Sequence, residues 1–258
     1  MTPATHLTLG DLAGKRILIT GGSTGIGAAV VQAFAAQGAQ LVLHYNASHE
    51  PAEQLRAQYP GHITLLQGDL AAPGETARVV AEAARLLGGL DGLINNAGSM
   101  LGRIPTIQAS DAHFDQVLDL NAKSVWQASI AAHPHLKAAG GAFIINTTSI
   151  AARNGGGNGA VLYAAAKSFV SSLTRGQAKE FVADKIRVNA VAPGLILTPF
   201  HVRDTPDAMM AAQSATIPMG RAGLPEECVG AFLFLASAAL SGYITGQIIE
   251  VNGGQLMP

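Results

Sequence analysis

Tyr163 and Lys167, the ends of "YAAAK", sit four residues apart, which puts them on one face of a helix. A free phenol has a pKa near ~10, too high to act as a base at neutral pH. An ammonium one turn away favours the phenolate and lowers that value. The pair therefore suits proton transfer to or from an alcohol/carbonyl couple. Just upstream, "INTTSIAA" ends an apolar run at Ser149, whose hydroxyl can bond a carbonyl oxygen or cap a turn. Tyr and Lys at this spacing also occur in ordinary amphipathic helices, so the chemistry depends on what else reaches the same rim.

A second group of residues could hold phosphate. "ILITGGSTGIGAAVVQAF" (17–34) runs strand, glycine turn, helix, with Gly21, Gly25 and Gly27 in a G-x-x-x-G-x-G spacing. A pyrophosphate needs close backbone approach and the free N–H groups of a helix N-terminus. Gly25 and Gly27 allow the approach, and a helix starting near Ile26 provides the donors; a plain tight turn is the alternative. No Gly-Lys-Ser/Thr follows, so this is not a P-loop. Asp69 ends a third apolar run, and Asn95, Asn96, Ala97 and Gly98 end a fourth. Asp69 can accept from an adenine amine or serve as a cap or turn residue. Ala97 and Gly98 let the chain pass close to an adenosine ribose, and one of the two asparagines is expected to be structural.

These residues need a scaffold that gathers strand ends. Strand candidates fall at 16–20, 40–45, 62–69, 92–98, 142–149, 186–194 and 247–254; they are continuous in Ile, Val and Leu, as strands buried on both faces are. Helical patterns lie between them at 26–37, 75–87, 111–138, 160–182 and 225–237. The alternation predicts an α/β fold, a doubly wound parallel sheet with helices on both faces. No linker or repeat breaks the chain, so residues 1–258 read as a single dinucleotide-binding domain. The run 198–223 carries Pro, Asp and Met without a clear strand, and it is expected to form a flap.

Composition narrows the function classes. A formal net charge of -1 gives no basic field for nucleic acid or anionic lipid. One cysteine, Cys228, excludes an internal disulfide and fits a reducing, cytoplasmic setting. The N-terminal residues do not have the form of a signal peptide, and no run is long enough to span a membrane. The histidines of "HPHL" do not face each other on a helix, so no metal site is expected. With 48% hydrophobic and 13% charged residues, the polar surface is thin, which favours an oligomer.

"TGGSTGIG", "NNAG", the serine upstream of "YAAAK", "APG" followed by Thr198, and the closing "YITGQIIEVNGG" occur in one order over residues 11 to 256. Together they resemble the short-chain dehydrogenase/reductase family, in its compact single-domain form. The resemblance implies a Rossmann-like seven-stranded parallel sheet in the order 3-2-1-4-5-6-7. It also implies a catalytic tetrad of Asn121, Ser149, Tyr163 and Lys167. Tyr163 would be the acid/base, Lys167 would lower its pKa and bind the nicotinamide ribose, Ser149 would orient the carbonyl, and Asn121 would hold a relay water. The Ser149 to Tyr163 spacing is one residue longer than is usual in the family, and the glycine-rich stretch between them can absorb it.

Cofactor contacts are implied for the glycine loop (Ser23, Thr24 and Ile26 beside its glycines), for Asp69 and Leu70, and for Asn96, Ala97 and Gly98. Thr147, Pro193, Gly194, Ile196 and Thr198 complete the nicotinamide side. A mostly apolar substrate pocket is expected from Met100, Leu101, Leu195 and Phe200, with Ser149 at its base. By the resemblance Tyr45 stands where NAD-specific relatives carry an acid, followed by the neutral Asn46 and Ser48. The repulsion that excludes NADP is thus missing. Only His44 and His49 could add positive charge nearby, if protonated. The expectation is NADP(H) preferred with NAD(H) possible, and a homotetramer or dimer. The activity implied is interconversion of a ketone and a secondary alcohol. The alternative is an idle dinucleotide-binding regulator of the same fold, which would have no need of the tetrad.

Overall fold

A computed structural model describes residues 8–200, 205 and 207–257. Seven strands form one parallel sheet: β1 Arg16–Ile19, β2 Gln40–Tyr45, β3 Ile63–Gln67, β4 Gly92–Asn95, β5 Ala142–Thr147, β6 Ile186–Pro193 and β7 Ile248–Val251. Their order is β3-β2-β1-β4-β5-β6-β7, as the resemblance implied. Every strand except β2 is shorter than its apolar run predicted, because residues at its C-terminal end leave the ladder and turn into the loops.

The strands are buried on both faces. Ile17, Ile19, Leu41, Leu43, Phe143 and Ile145 belong to one core, while their sequence neighbours Leu18, Val42 and Ile144 belong to the other. The period of two along a strand sends successive side chains to opposite faces. At about 25 cal/mol per Å2 of apolar surface, these two cores are the main source of stability.

The first core is covered by α1 Gly25–Ala36, α2 His49–Gln58 and a later helix, Pro225–Ala236. The second is covered by α3 Glu75–Leu87, by α5 Ser124–Ala138, which follows α4 Asp111–Leu118, and, beyond α6 Ala151–Asn154, by α7 Val161–Phe181. After them come α8 Asp207–Ala215 and α9, the Pro225–Ala236 helix.

Beyond the strand ends, several elements differ from the sequence reading. α2 was not anticipated: "HEPAEQLRAQ" buries only Ala52 and Leu55, so it carries almost no apolar stripe. The stretch 111–138 is not one regular helix, because a π turn over Asp119–Lys123 joins α4 to α5. The expected flap contains α8 and a bridge between Ile196 and Gly223; its residues 201–204 and 206 lie outside the described residues. No helix among the described residues is long and apolar enough to cross a membrane.

Candidate functional site

Strand order reverses between β1 and β4, where loops leave the sheet in opposite directions and open a crevice at the strand C-termini. A cavity of about 600 Å3 occupies it.

The glycine loop forms one wall. Gly21 has φ +62°, and a Cβ there would lie 2.8 Å from the Ala97 Cα. A Cβ on Gly27 would collide with the Gly21 carbonyl and sit 2.5 Å from Asn96 Nδ2. Only glycine lets these segments touch. Asn96 Nδ2 donates to the carbonyls of Thr20 (3.2 Å) and Gly21 (2.9 Å), fastening the loop to the end of β4. No side chain caps α1, so the N–H groups of its first turn are left to the cavity. Ser23, Thr24, Gly25 and Ile26 line the same wall.

His44, read from the sequence only as a conditional charge, has a structural role that sequence reasoning missed. Its Nδ1 accepts from the Gly21 N–H (3.3 Å), and its Nε2 lies 3.0 Å from the Gly68 carbonyl. It ties the glycine loop to the end of β3. Burial pushes its pKa down to about 4, so it is neutral and the charge open to it if protonated is not added. Tyr45 also departs from expectation. It does not line the cavity but packs in the first core, with its hydroxyl 2.7 Å from His49 Nδ1. Period two decides this, because Tyr45 shares the face of Leu41 and Leu43. Asn46 and Ser48 do line the cavity, with Asp69 and Leu70 across from them on the loop that follows β3. Asp69 Oδ1 accepts from the Ala71 N–H (3.1 Å), so it is also the turn residue of the second reading.

Ala97 and Gly98 continue the wall beyond Asn96. Asn95 is purely structural: its Nδ2 donates to Asn146 Oδ1 (2.9 Å), and Asn146 donates on to Thr174 (2.9 Å).

At the inner end, β5 and α7 bring three predicted residues together. Tyr163 and Lys167 share a face of α7, with the Lys167 Nζ 5.6 Å from the Tyr163 ring centroid. Lys167 is buried and donates to the Thr147 carbonyl (2.9 Å); burial pulls its pKa down to about 8. The cavity walls dehydrate the Tyr163 phenol and push its pKa up to about 12, against the pull of a hydrogen bond with Ser149. In this arrangement burial dominates the Tyr163 phenol, while the Lys167 ammonium is turned to the Thr147 carbonyl.

Thr148 is committed elsewhere, since its hydroxyl donates to the Lys167 carbonyl (2.9 Å). Thr147 Oγ1 is buried against the cavity with no hydrogen-bond partner. Between Ser149 and Tyr163 the chain forms α6 and a turn at Gly155–Gly156, rather than a loop alone.

Asn121 lies in the π turn and does not line the cavity. Its Nδ2 donates to the carbonyls of Ser99 (2.8 Å) and Val117 (2.9 Å), and its Oδ1 accepts from the Ser99 N–H (3.0 Å). It still comes near Lys167: a Cβ on Gly98 would be 2.8 Å from Asn121 Oδ1 and 3.1 Å from Lys167 Nζ. Pro193, Gly194, Ile196 and Thr198 close the cavity from the β6 side.

Met100, Leu101, Leu195 and Phe200 form the expected apolar wall, with the Phe200 ring 5.6 Å from that of Tyr163. Arg103, Asn154, Gln213 and Gln255 also line it, so polar side chains stand beside the apolar wall. They come from four separate segments, and no sequence spacing relates them.

The orphaned Thr147 hydroxyl, the uncapped α1 terminus and the glycine contacts fit a dinucleotide bound in an extended form. A sequence-family model described as enoyl-(acyl carrier protein) reductase matches residues 21–255. A 3alpha-hydroxysteroid dehydrogenase of Mediterraneibacter gnavus is 38% identical, over 94% of this chain and 97% of the relative. The crystal structure of NADH-dependent reductase A1-R' complexed with NAD is 40% identical, with a TM-score of 0.85 over 97% of this chain and 100% of that one. A solved short chain dehydrogenase/reductase family protein is 34% identical, with a TM-score of 0.84 over 95% and 98%. The chain belongs to the short-chain dehydrogenase/reductase family of oxidoreductases.

Proposed function

We propose that this oxidoreductase interconverts a ketone and a secondary alcohol, with Tyr163 as general acid/base. One observation carries the reading: Ser149, hydrogen-bonded to Tyr163, and the buried Lys167 converge at the inner end of a cavity that starts at the uncapped terminus of α1. When bound, a nicotinamide dinucleotide supplies or accepts the hydride at the carbonyl carbon. The α1 N–H groups and the glycine loop would hold the pyrophosphate, Asp69 and Leu70 would flank the adenine, and Asn96, Ala97 and Gly98 would pass the ribose. Thr147, Pro193, Gly194, Ile196 and Thr198 would border the nicotinamide.

Ser149 donates to the carbonyl oxygen and polarises it. In reduction, Tyr163 gives its phenolic proton to that oxygen as the carbon gains hydride, leaving an alcohol and a phenolate. Lys167 stabilises the phenolate, and a proton returns from solvent past Lys167 and Asn121. Oxidation runs the same steps backwards.

NADP(H) is the preferred carrier and NAD(H) a usable one. The rim at the end of β2 is neutral, formed by Asn46, Ala47 and Ser48, and NAD(H) is the carrier named for the A1-R' relative. Exposed Phe114, Trp126, Ile130 and Phe169 on α4, α5 and α7 support a homo-oligomer, a tetramer or a dimer. The single thiol fits the cytoplasm.

The test is a panel of ketones and alcohols with both dinucleotides, followed by the absorbance of reduced nicotinamide. Turnover of any ketone supports the reading. Tight dinucleotide binding with no turnover across the panel replaces it with the idle regulator.

A further inference from the structure

The Ser149 hydroxyl is set by the single helical turn that follows it. Its Oγ accepts from the N–H of Ala151 (3.1 Å), the first residue of α6, and the Ala152 N–H donates to the Ser149 carbonyl (3.0 Å). With one lone pair engaged by α6, the hydroxyl keeps its proton to give away.

α6 is four residues long and ends at Gly155 in the left-handed region. A helix that short has no stability of its own, so its place is fixed from outside. The Ile150 N–H donates to the Pro193 carbonyl (2.9 Å) at the end of β6, and Ser168 Oγ on α7 donates to the Ala152 carbonyl (2.8 Å). Both of these ties end on backbone atoms. A third tie uses the one charged side chain of α6: Arg153 Nε lies 3.5 Å from Oε1 of Glu250, on the edge strand β7.

The Glu250 side chain is only 13% exposed, and its Oε1 is buried without a hydrogen-bond partner. Its Oε2 is 3.5 Å from Asn252 Nδ2, which also donates to the Leu256 carbonyl (2.9 Å). Arg153 is thus the main compensation for a carboxylate taken out of water. Such a pair is a poor source of stability, because desolvation offsets most of the attraction. What it supplies is placement: the carboxylate is compensated only when α6 stands where Arg153 can reach it. We propose that Arg153 and Glu250 are positioning residues, whose ion pair pins α6 to the sheet edge and through it aims the Ser149 hydroxyl at the carbonyl. This rests on the ketone/alcohol reading and names what holds its serine in place.

The experiment uses the full chain. It reads hydrogen exchange of the α6 amides, kcat and KM for a ketone that the wild type reduces, dinucleotide affinity and Tm. Glu250→Gln keeps the shape and removes the charge. Its α6 amides should exchange faster and its kcat should fall roughly tenfold, while dinucleotide affinity and Tm stay close to wild type, because a misplaced group costs rate rather than fold. Arg153→Gln should lose as much, and the variant carrying both changes should lose no more than either alone, because one pair is broken in all three. Arg153→Lys, which restores the cation, should recover most of kcat. Wild-type kcat in Glu250→Gln overturns this inference and leaves the ketone reading standing. So do additive losses in the double variant, or a loss of kcat that tracks a fall in Tm. A wild-type protein that turns over no ketone or alcohol overturns the ketone reading, while α6 exchange still decides whether the pair holds the turn.

Discussion

The ammonium of Lys167 donates 2.9 Å to the carbonyl of Thr147, the residue whose own hydroxyl faces the cavity without a partner. One strand end thus anchors the lysine and presents an unsatisfied polar atom. This arrangement sets the pH behaviour. With its pKa at about 12, Tyr163 keeps its proton across the neutral range and is ready to donate it. Lys167, at about 8, loses its charge first. Carbonyl reduction should therefore be flat below pH 8 and fall above it, as the cation that supports the new phenolate disappears. Alcohol oxidation needs the phenolate and should rise with pH. Profiles of kcat in both directions check this, and a reduction rate that climbs through pH 8 would be wrong for this site.

Tyr163→Phe removes the proton donor and little else. Turnover should drop by about 10²- to 10⁴-fold, while dinucleotide affinity, read by nicotinamide fluorescence, stays within a few fold. Near-native turnover in this variant would sink the proposed mechanism.

His44 makes stability depend on pH. The unfolded chain takes a proton at this site near 6.5, the folded chain only at about 4. Between those values the unfolded state binds more protons, so stability falls as pH falls, by on the order of 3 kcal/mol in total. Urea midpoints measured from pH 7 to pH 4 should show the slope, and His44→Asn should flatten it. An unchanged slope would assign the effect to another group.

Asn46→Asp puts a carboxylate on the neutral rim after β2. A 2′-phosphate is then repelled, and kcat/KM for NADPH should fall about tenfold or more relative to NADH. Comparing the two ratios in wild type and variant is sufficient. A wild-type enzyme that strongly prefers NADH would already refute the preference proposed above.

Asn121→Ala should cost about 1–3 kcal/mol, because the backbone N–H and C=O of Ser99 both lose their side-chain partner. Thermal unfolding reads the loss. The loop carrying Met100 and Leu101 should loosen as well, raising KM more than it lowers kcat.

What could be read from sequence follows the physics of each element. Strand runs such as "QLVLHY" were legible because burial on both faces demands uninterrupted apolar residues, and β2 matches its predicted bounds. Ser149, Tyr163 and Lys167 were legible because they lie in short local motifs. The inward turn of Tyr45 was legible too: counting by twos from Leu41 places it in the core, and the resemblance obscured that count. His44 was hidden because its value lies in joining Gly21 to Gly68, a pairing made only by the sheet. Arg103, Gln213 and Gln255 were hidden for the same reason. α2 was invisible because helices that bury two residues have no stripe to read.

The π turn at Asp119–Lys123 acts as a phase shifter. Deleting one residue there would restore an ordinary helix and rotate everything after it by roughly 100°. Ala128, Ala132 and Leu136 would swing out of the core, and Trp126 and Ile130 would leave the outer surface. The half of the helix that faces the site and the half that faces outward are thus set independently, by a single surplus residue. Substitutions in this segment leave the phase of the helix as it is, whereas a change in its length does not.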